Sequence, residues 1–175
     1  KTDKIYIYPL GGIIKLNEDI NKSLKEELLI VLAGPLFQIC YYHILLFLNI
    51  KNVSNFHYFL LAFNLLPVYP LDGGKILNIL LSFFLPFKKS FNITIIISFI
   101  IYVAFLFTFV FFYNSVILLF VIFLIFFKIM DEFQKRKYYF NKFLLERHLK
   151  KYKFNKIKYI NNIDKMYKER KHYFY

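Results

Sequence analysis

Apolar residues fall along this 175-residue chain in four long blocks set apart by short polar or charged interruptions. Leu28 to Ile50, Phe59 to Phe84, Ile93 to Tyr113 and Val116 to Met130 approach or reach the ~20 residues that cross a bilayer core. They predict an all-α polytopic membrane protein with about four transmembrane segments, the fourth short unless its flanks extend it. Ahead of them, Ile5 to Tyr8 and Ile13 to Leu16 read as short strands. Pro9, Leu10, Gly11 and Gly12 serve as turn material between them, making a juxtamembrane β-hairpin. That hairpin is either a structural ribbon or an edge able to add an extended peptide as one more strand. A helix start follows at Asn21 or Ser23, with Glu26 and Glu27 as first-turn acids that favour the helix dipole rather than catalysis.

The second block is interrupted where the others are not. In NLLPVYPLDGGK, Asn64 to Lys75, the residues Pro67, Pro70, Gly73 and Gly74 break the helix around Asp72. A carboxylate in hydrocarbon costs at least about 2.5 kcal/mol, so an intramembrane aspartate calls for a partner, here expected to be a metal ion. Backbone freed at that depth is tolerated only if buried in protein or lining a wet cavity. In the first block, Ala33, Gly34 and Pro35 form a small-residue break that admits a neighbouring backbone. Gln38 and His43, five residues apart, point about 140° apart on a helix and make no shared site by themselves. Cys40 lies in an apolar run and reads as a small buried hydrophobe; as the single cysteine it excludes an internal disulfide.

Charge changes the picture at the ends of the blocks. The hydrophobic share, 58%, exceeds the roughly 45 to 50% of soluble domains. The net charge of +13 resides mainly beyond the last block, where Asp131 to Tyr175 carries 14 Lys and Arg against 5 Asp and Glu. Basic residues so placed face anionic headgroups or set topology. No nucleic-acid recognition motif accompanies them. Lys22 and Lys25, Lys88 and Lys89, and the tail are therefore expected on the cytoplasmic side. Residues 1–130 form a membrane core, and 131–175 a basic helical tail. The tail is solvated, lies on lipid or docks a substrate.

Three blocks in order, YPLGG at Tyr8 to Gly12, LAGP at Leu32 to Pro35 and NLLPVYPLDGGK, resemble the site-2 protease family of intramembrane zinc metalloproteases. The nearest resemblance is to the stage IV sporulation protein FB group, which cleaves the pro-sequence of a sporulation sigma factor. DEFQKRKYYFNKFLLERH at Asp131 to His148 is similar to the segment leaving the last span in that group. The resemblance implies that Asp72 is a Zn2+ ligand beside two histidines of an HExxH helix, whose glutamate is the general base. It also implies that Asn64 contacts the substrate backbone or developing oxyanion; helix packing is the other reading of that amide. Pro70 corresponds to a proline that shapes the segment around the ligand.

No HExxH occurs here, and none of His43, His57, His148 and His172 pairs with another at i, i+4 spacing. The other ligands are accordingly expected upstream of Lys1, in a chain N-terminally truncated, with a nucleotide-sensing CBS domain expected past the tail. Two function classes follow. One is a multi-pass, zinc-dependent endopeptidase with its site toward the cytoplasm, acting on a membrane-associated protein in the lipid bilayer under regulatory membrane partners. The other is a non-catalytic scaffold or a cation- or proton-coupled transporter fragment using Asp72 at a broken helix.

Overall fold

The structure, a computed structural model, describes residues 2–8, 11–16, 20–48, 54–112, 116–154 and 156–175. Strands β1 (Thr2–Tyr8) and β2 (Gly11–Leu16) pair antiparallel, with Ile5 opposite Ile14 and Tyr8 opposite Gly11. Gly11 and Gly12 thus belong to the ladder rather than to the turn, while Pro9 and Leu10 lie outside the described residues.

Five helices follow: α1 (Leu24–Phe47), α2 (Ser54–Asn64), α3 (Asp72–Phe84), α4 (Phe87–Phe112) and α5 (Val116–Leu149). The expected break at Ala33 to Pro35 is absent, since α1 runs through Pro35 without interruption. A proline removes one backbone donor, and a spanning helix tolerates that loss when its neighbours hold the rest. The fourth apolar block and the first part of the basic tail are one helix, α5. Helix ends at Leu149, which corrects the expectation of a helical tail. Strands β3 (Lys156–Ile160) and β4 (Arg170–Phe174) pair in parallel around a 3-10 turn at Ile163–Lys165.

Among the described residues two helices are long and apolar enough to cross a membrane, Leu24–Phe47 and Phe87–Thr108. Large side chains such as Phe37, Phe47 and Phe84 stand exposed on the outer faces. Apolar surface on that scale belongs against lipid or a partner rather than water.

Helix α3 packs against both α1 and α4, and α4 against α5. On α4 the hydroxyls of Ser90, Thr94 and Ser98, one turn apart, are completely buried. Ser90 meets Ser82 of α3 at 2.8 Å, and Thr94 lies 3.5 Å from Asn78 Oδ1. Each also donates to its own helix, Thr94 to Ser90 O and Ser98 to Thr94 O. Small hydroxyl side chains let helices approach closely without stranding a polar atom in hydrocarbon.

The strand pair is stitched back onto the helices. Phe87 N, at the start of α4, donates to Met166 O at 2.9 Å, and Lys88 pairs with Asp164 at 2.6 Å. Arg147 of α5 donates to Asn21 Oδ1 and to Tyr167 O, both at 2.7 Å. Burial draws its guanidinium down to about 10. Glu169 accepts from Leu24 N at 2.8 Å and so caps α1 from the far end of the chain. Glu26 and Glu27 stand in the first turn of α1 as expected, and the Glu27 carboxylate also pairs with the buried Lys168.

Candidate functional site

The site begins with the seven residues between α2 and α3, Leu65 to Leu71. Pro67 and Pro70, the latter after a cis peptide bond, carry no donor. Every other backbone N–H in the segment is used. Leu65 and Leu66 donate to Leu61 O and Phe63 O, Val68 to Leu66 O, and Leu71 to Val68 O. Tyr69 N donates to Ser98 Oγ at 2.8 Å. The cost of breaking the helix is met donor by donor, one of them by a hydroxyl from α4.

The two glycines after Asp72 are required by the same fold-back. A Cβ at Gly73 would lie 2.1 Å from Leu65 O, and one at Gly74 would lie 2.4 Å from Tyr69 N. The broken segment therefore rests directly on the backbone of α3's first turn.

Asp72 is the first residue of α3, where the positive end of the helix dipole favours a carboxylate. Its Oδ1 accepts from Lys75 Nζ at 3.3 Å, and its side chain is 31% exposed. Its Oδ2 faces Gly34 of α1, where a Cβ would stand 3.4 Å away. The LAGP and LDGG blocks, far apart in sequence, thus meet at the carboxylate. Beside this corner a cavity of about 380 Å3 is lined by Tyr69, Lys75 and Asn78 on one side and by Glu27, Val31 and Lys168 on the other.

Asn64 is the last residue of α2, half-buried, and no side-chain hydrogen bond joins its amide to Asp72 or to another described residue. The histidines do not gather. His43 is exposed, with its Nδ1 2.9 Å from Ile39 O of its own helix. His57 packs its ring on Tyr41 and Tyr42. His148 lies in the last turn of α5, and His172 is held by Arg147 and Tyr167 N. Gln38 reaches His57 O at 3.4 Å. Cys40 is exposed on α1, not buried, because the apolar run that contains it presents this face outward.

Over 161 residues the chain is 33% identical to the stage IV sporulation protein FB of Bacillus subtilis, covering 85% of this chain and 55% of that protein. It is 34% identical over 95 residues to a zinc metalloprotease of Methanocaldococcus jannaschii, covering 47% of this chain and 27% of that protein. The chain is related to the site-2 proteases. No protein-family profile matches it. The chain spans about half the length of the Bacillus relative and about a quarter of the archaeal one.

Site-2 proteases are zinc enzymes, and a catalytic zinc takes about three protein ligands with one open position. The residues present do not satisfy that requirement. Among the described residues no three His, Cys, Asp or Glu side chains cluster, and Asp72 stands as one carboxylate with a lysine against it. Reading the sequence located Asp72 and the break. It missed Lys75, Asn78 and the hydroxyls of α4, for which the one available clue was Ser90, Thr94 and Ser98 recurring every fourth residue in an otherwise apolar run.

Proposed function

We propose that this chain is the aspartate-bearing part of an intramembrane zinc-dependent endopeptidase of the site-2 protease type. The observation that carries the reading is the corner at Asp72: a carboxylate held at a helix start, partly open, against Gly34 of a membrane-length helix and beside a cavity. Relatedness to a sporulation protease and a zinc metalloprotease supports the same chemistry. In this reading Asp72 supplies one zinc ligand, and the other ligands come from residues outside those described. Asn64, whose amide has no partner among the described residues, offers a donor to the substrate backbone. The substrate is a membrane-associated protein, of which the pro-sequence of a sporulation sigma factor is the specific candidate. Four crossings place the basic ends of the blocks, the site and the tail toward the cytoplasm.

The test is cleavage of a membrane-tethered protein substrate by the intact protein in vesicles. Cleavage should stop with a zinc chelator, return with added zinc, and fall roughly a hundred- to a thousandfold in Asn64→Ala if that amide serves the transition state. Chelator-insensitive cleavage, or none from correctly inserted protein supplied with zinc and its own substrate, would return Asp72 to a scaffold or transport role.

A further inference from the structure

Where α1 begins, a groove of about 670 Å3 opens between the helix start and the segment that leaves α5. Lys22 and Lys25 line one wall; Lys153 and Lys156 line the other, with the rings of Tyr152 and Phe154 between them. None of these four lysines makes an ion pair with a described residue. The remaining charges of the groove are largely engaged. Glu169 accepts from Leu24 N and the Ser23 hydroxyl, and Lys168 pairs with Glu27. Glu26 has no partner among the described residues and Glu169 accepts only from neutral donors, so four ammonium groups face two carboxylates and the groove keeps a net positive charge.

The groove opens onto an apolar track. Lys25, Leu29, Leu32 and Leu36 fall on one stripe of α1, given 3.6 residues per turn. Leu29 and Leu36 are 70% and 58% exposed. This stripe lies on the side of the helix opposite Glu27 and Val31, which line the inner cavity. Positive charge with two aromatic rings at the end of a membrane-length helix, continued by an exposed apolar stripe, matches a molecule with an anionic head and hydrocarbon tails. A soluble acidic peptide would use the lysines and leave the stripe unused. We propose that the groove between the start of α1 and the segment after α5 binds the headgroup of an anionic phospholipid, whose acyl chains lie along the Leu29 and Leu36 stripe.

Occupancy would tie Tyr152, Lys153, Phe154 and Lys156 to the start of α1 through a lipid, adding to the direct contacts of Arg147, Lys168 and Glu169. The site depends on α1 lying in a bilayer and not on any metal at Asp72.

The experiment titrates the delipidated intact protein with phosphatidylglycerol and with phosphatidylcholine, reading bound lipid by native mass spectrometry. The wild type should prefer phosphatidylglycerol. Lys22→Gln with Lys25→Gln should lower that preference roughly thirtyfold, at about 1 kcal/mol per lysine near an anionic surface. Lys22→Arg with Lys25→Arg should retain it, which separates charge from folding. Lys89→Gln with Lys165→Gln, two exposed lysines outside the groove, should leave it unchanged. Equal preference in the Gln pair and the wild type would overturn the proposal. Displacement of the lipid by inorganic phosphate or by a soluble acidic peptide would also overturn it, assigning the groove to that ligand instead.

Discussion

At the scale of single residues, three glycines around the break do different work. A Cβ added at Gly73 or Gly74 would stand 2.1 to 2.4 Å from backbone atoms, whereas one at Gly34 would stand at ordinary contact distance, 3.4 Å, from the Asp72 carboxylate. Gly73→Ala should therefore force the Leu65 to Leu71 segment off α3 and destabilise the protein by about 1 to 3 kcal/mol or more, as overpacking does. Gly34→Ala should fold nearly normally. Thermal denaturation in detergent separates the two, and equal losses would show that the close packing of the break is not what Gly73 provides. Asp72 and its glycines were legible in the sequence because an acid and helix breakers stand out inside an apolar block. The close approach of Gly34 was legible only as a permissive position, since nothing local to LAGP names the side chain it admits. Cys40 misled for a related reason. An apolar neighbourhood signifies burial in a soluble core but not on a helix whose outer face meets lipid.

At the scale of elements, the broken segment and α4 form one unit. Ser98 accepts from Tyr69 N and donates to Thr94 O, and nothing else in the described structure takes that amide. Ser98→Ala leaves a backbone donor unsatisfied, which costs about 1 to 3 kcal/mol. Hydrogen exchange at the Tyr69 amide should rise while the amides of α5 stay protected; unchanged exchange at Tyr69 would mean that another group takes its place. The break itself was readable from Pro67 and Pro70. Its satisfaction was not, because the partner lies 29 residues away on another helix. The passage of α1 through Pro35 shows the converse, a local helix breaker overridden by the surrounding helix.

At the scale of the molecule, the basic tail is a docked structure rather than a free arm. Length and charge gave α5 its first half and the tail its basic character. The β3–β4 pair escaped notice because each strand is only five residues long: the Lys-Ile-Lys-Tyr alternation of β3 is too short to stand out, and β4 has none. His172 gives this docking a pH dependence of determinate sign. Burial, then the charges of Arg147, Arg170 and Lys158, hold its imidazole down to about 4 from an ordinary 6.5. The undocked tail accordingly binds a proton between those values that the docked tail does not, so docking is strongest above pH 6.5 and weakens as pH falls toward 4. Its partial exposure makes the effect modest. Hydrogen exchange of residues 156–174 should quicken, after correction for intrinsic rates, on acidification through this window in the wild type and not in His172→Asn. An identical response in both would remove His172 from the docking.

The claim on which the proposed function depends is that Asp72 holds a metal in the intact protein. Zinc content per molecule, measured for purified wild type and Asp72→Asn of matched folding and membrane insertion, addresses it without reference to any substrate. A neutral amide is a poor substitute for a carboxylate ligand, so zinc should be bound in the wild type and sharply depleted in Asp72→Asn. Equal, stoichiometric zinc in both proteins would contradict it and leave Asp72 as the partner of Lys75 alone.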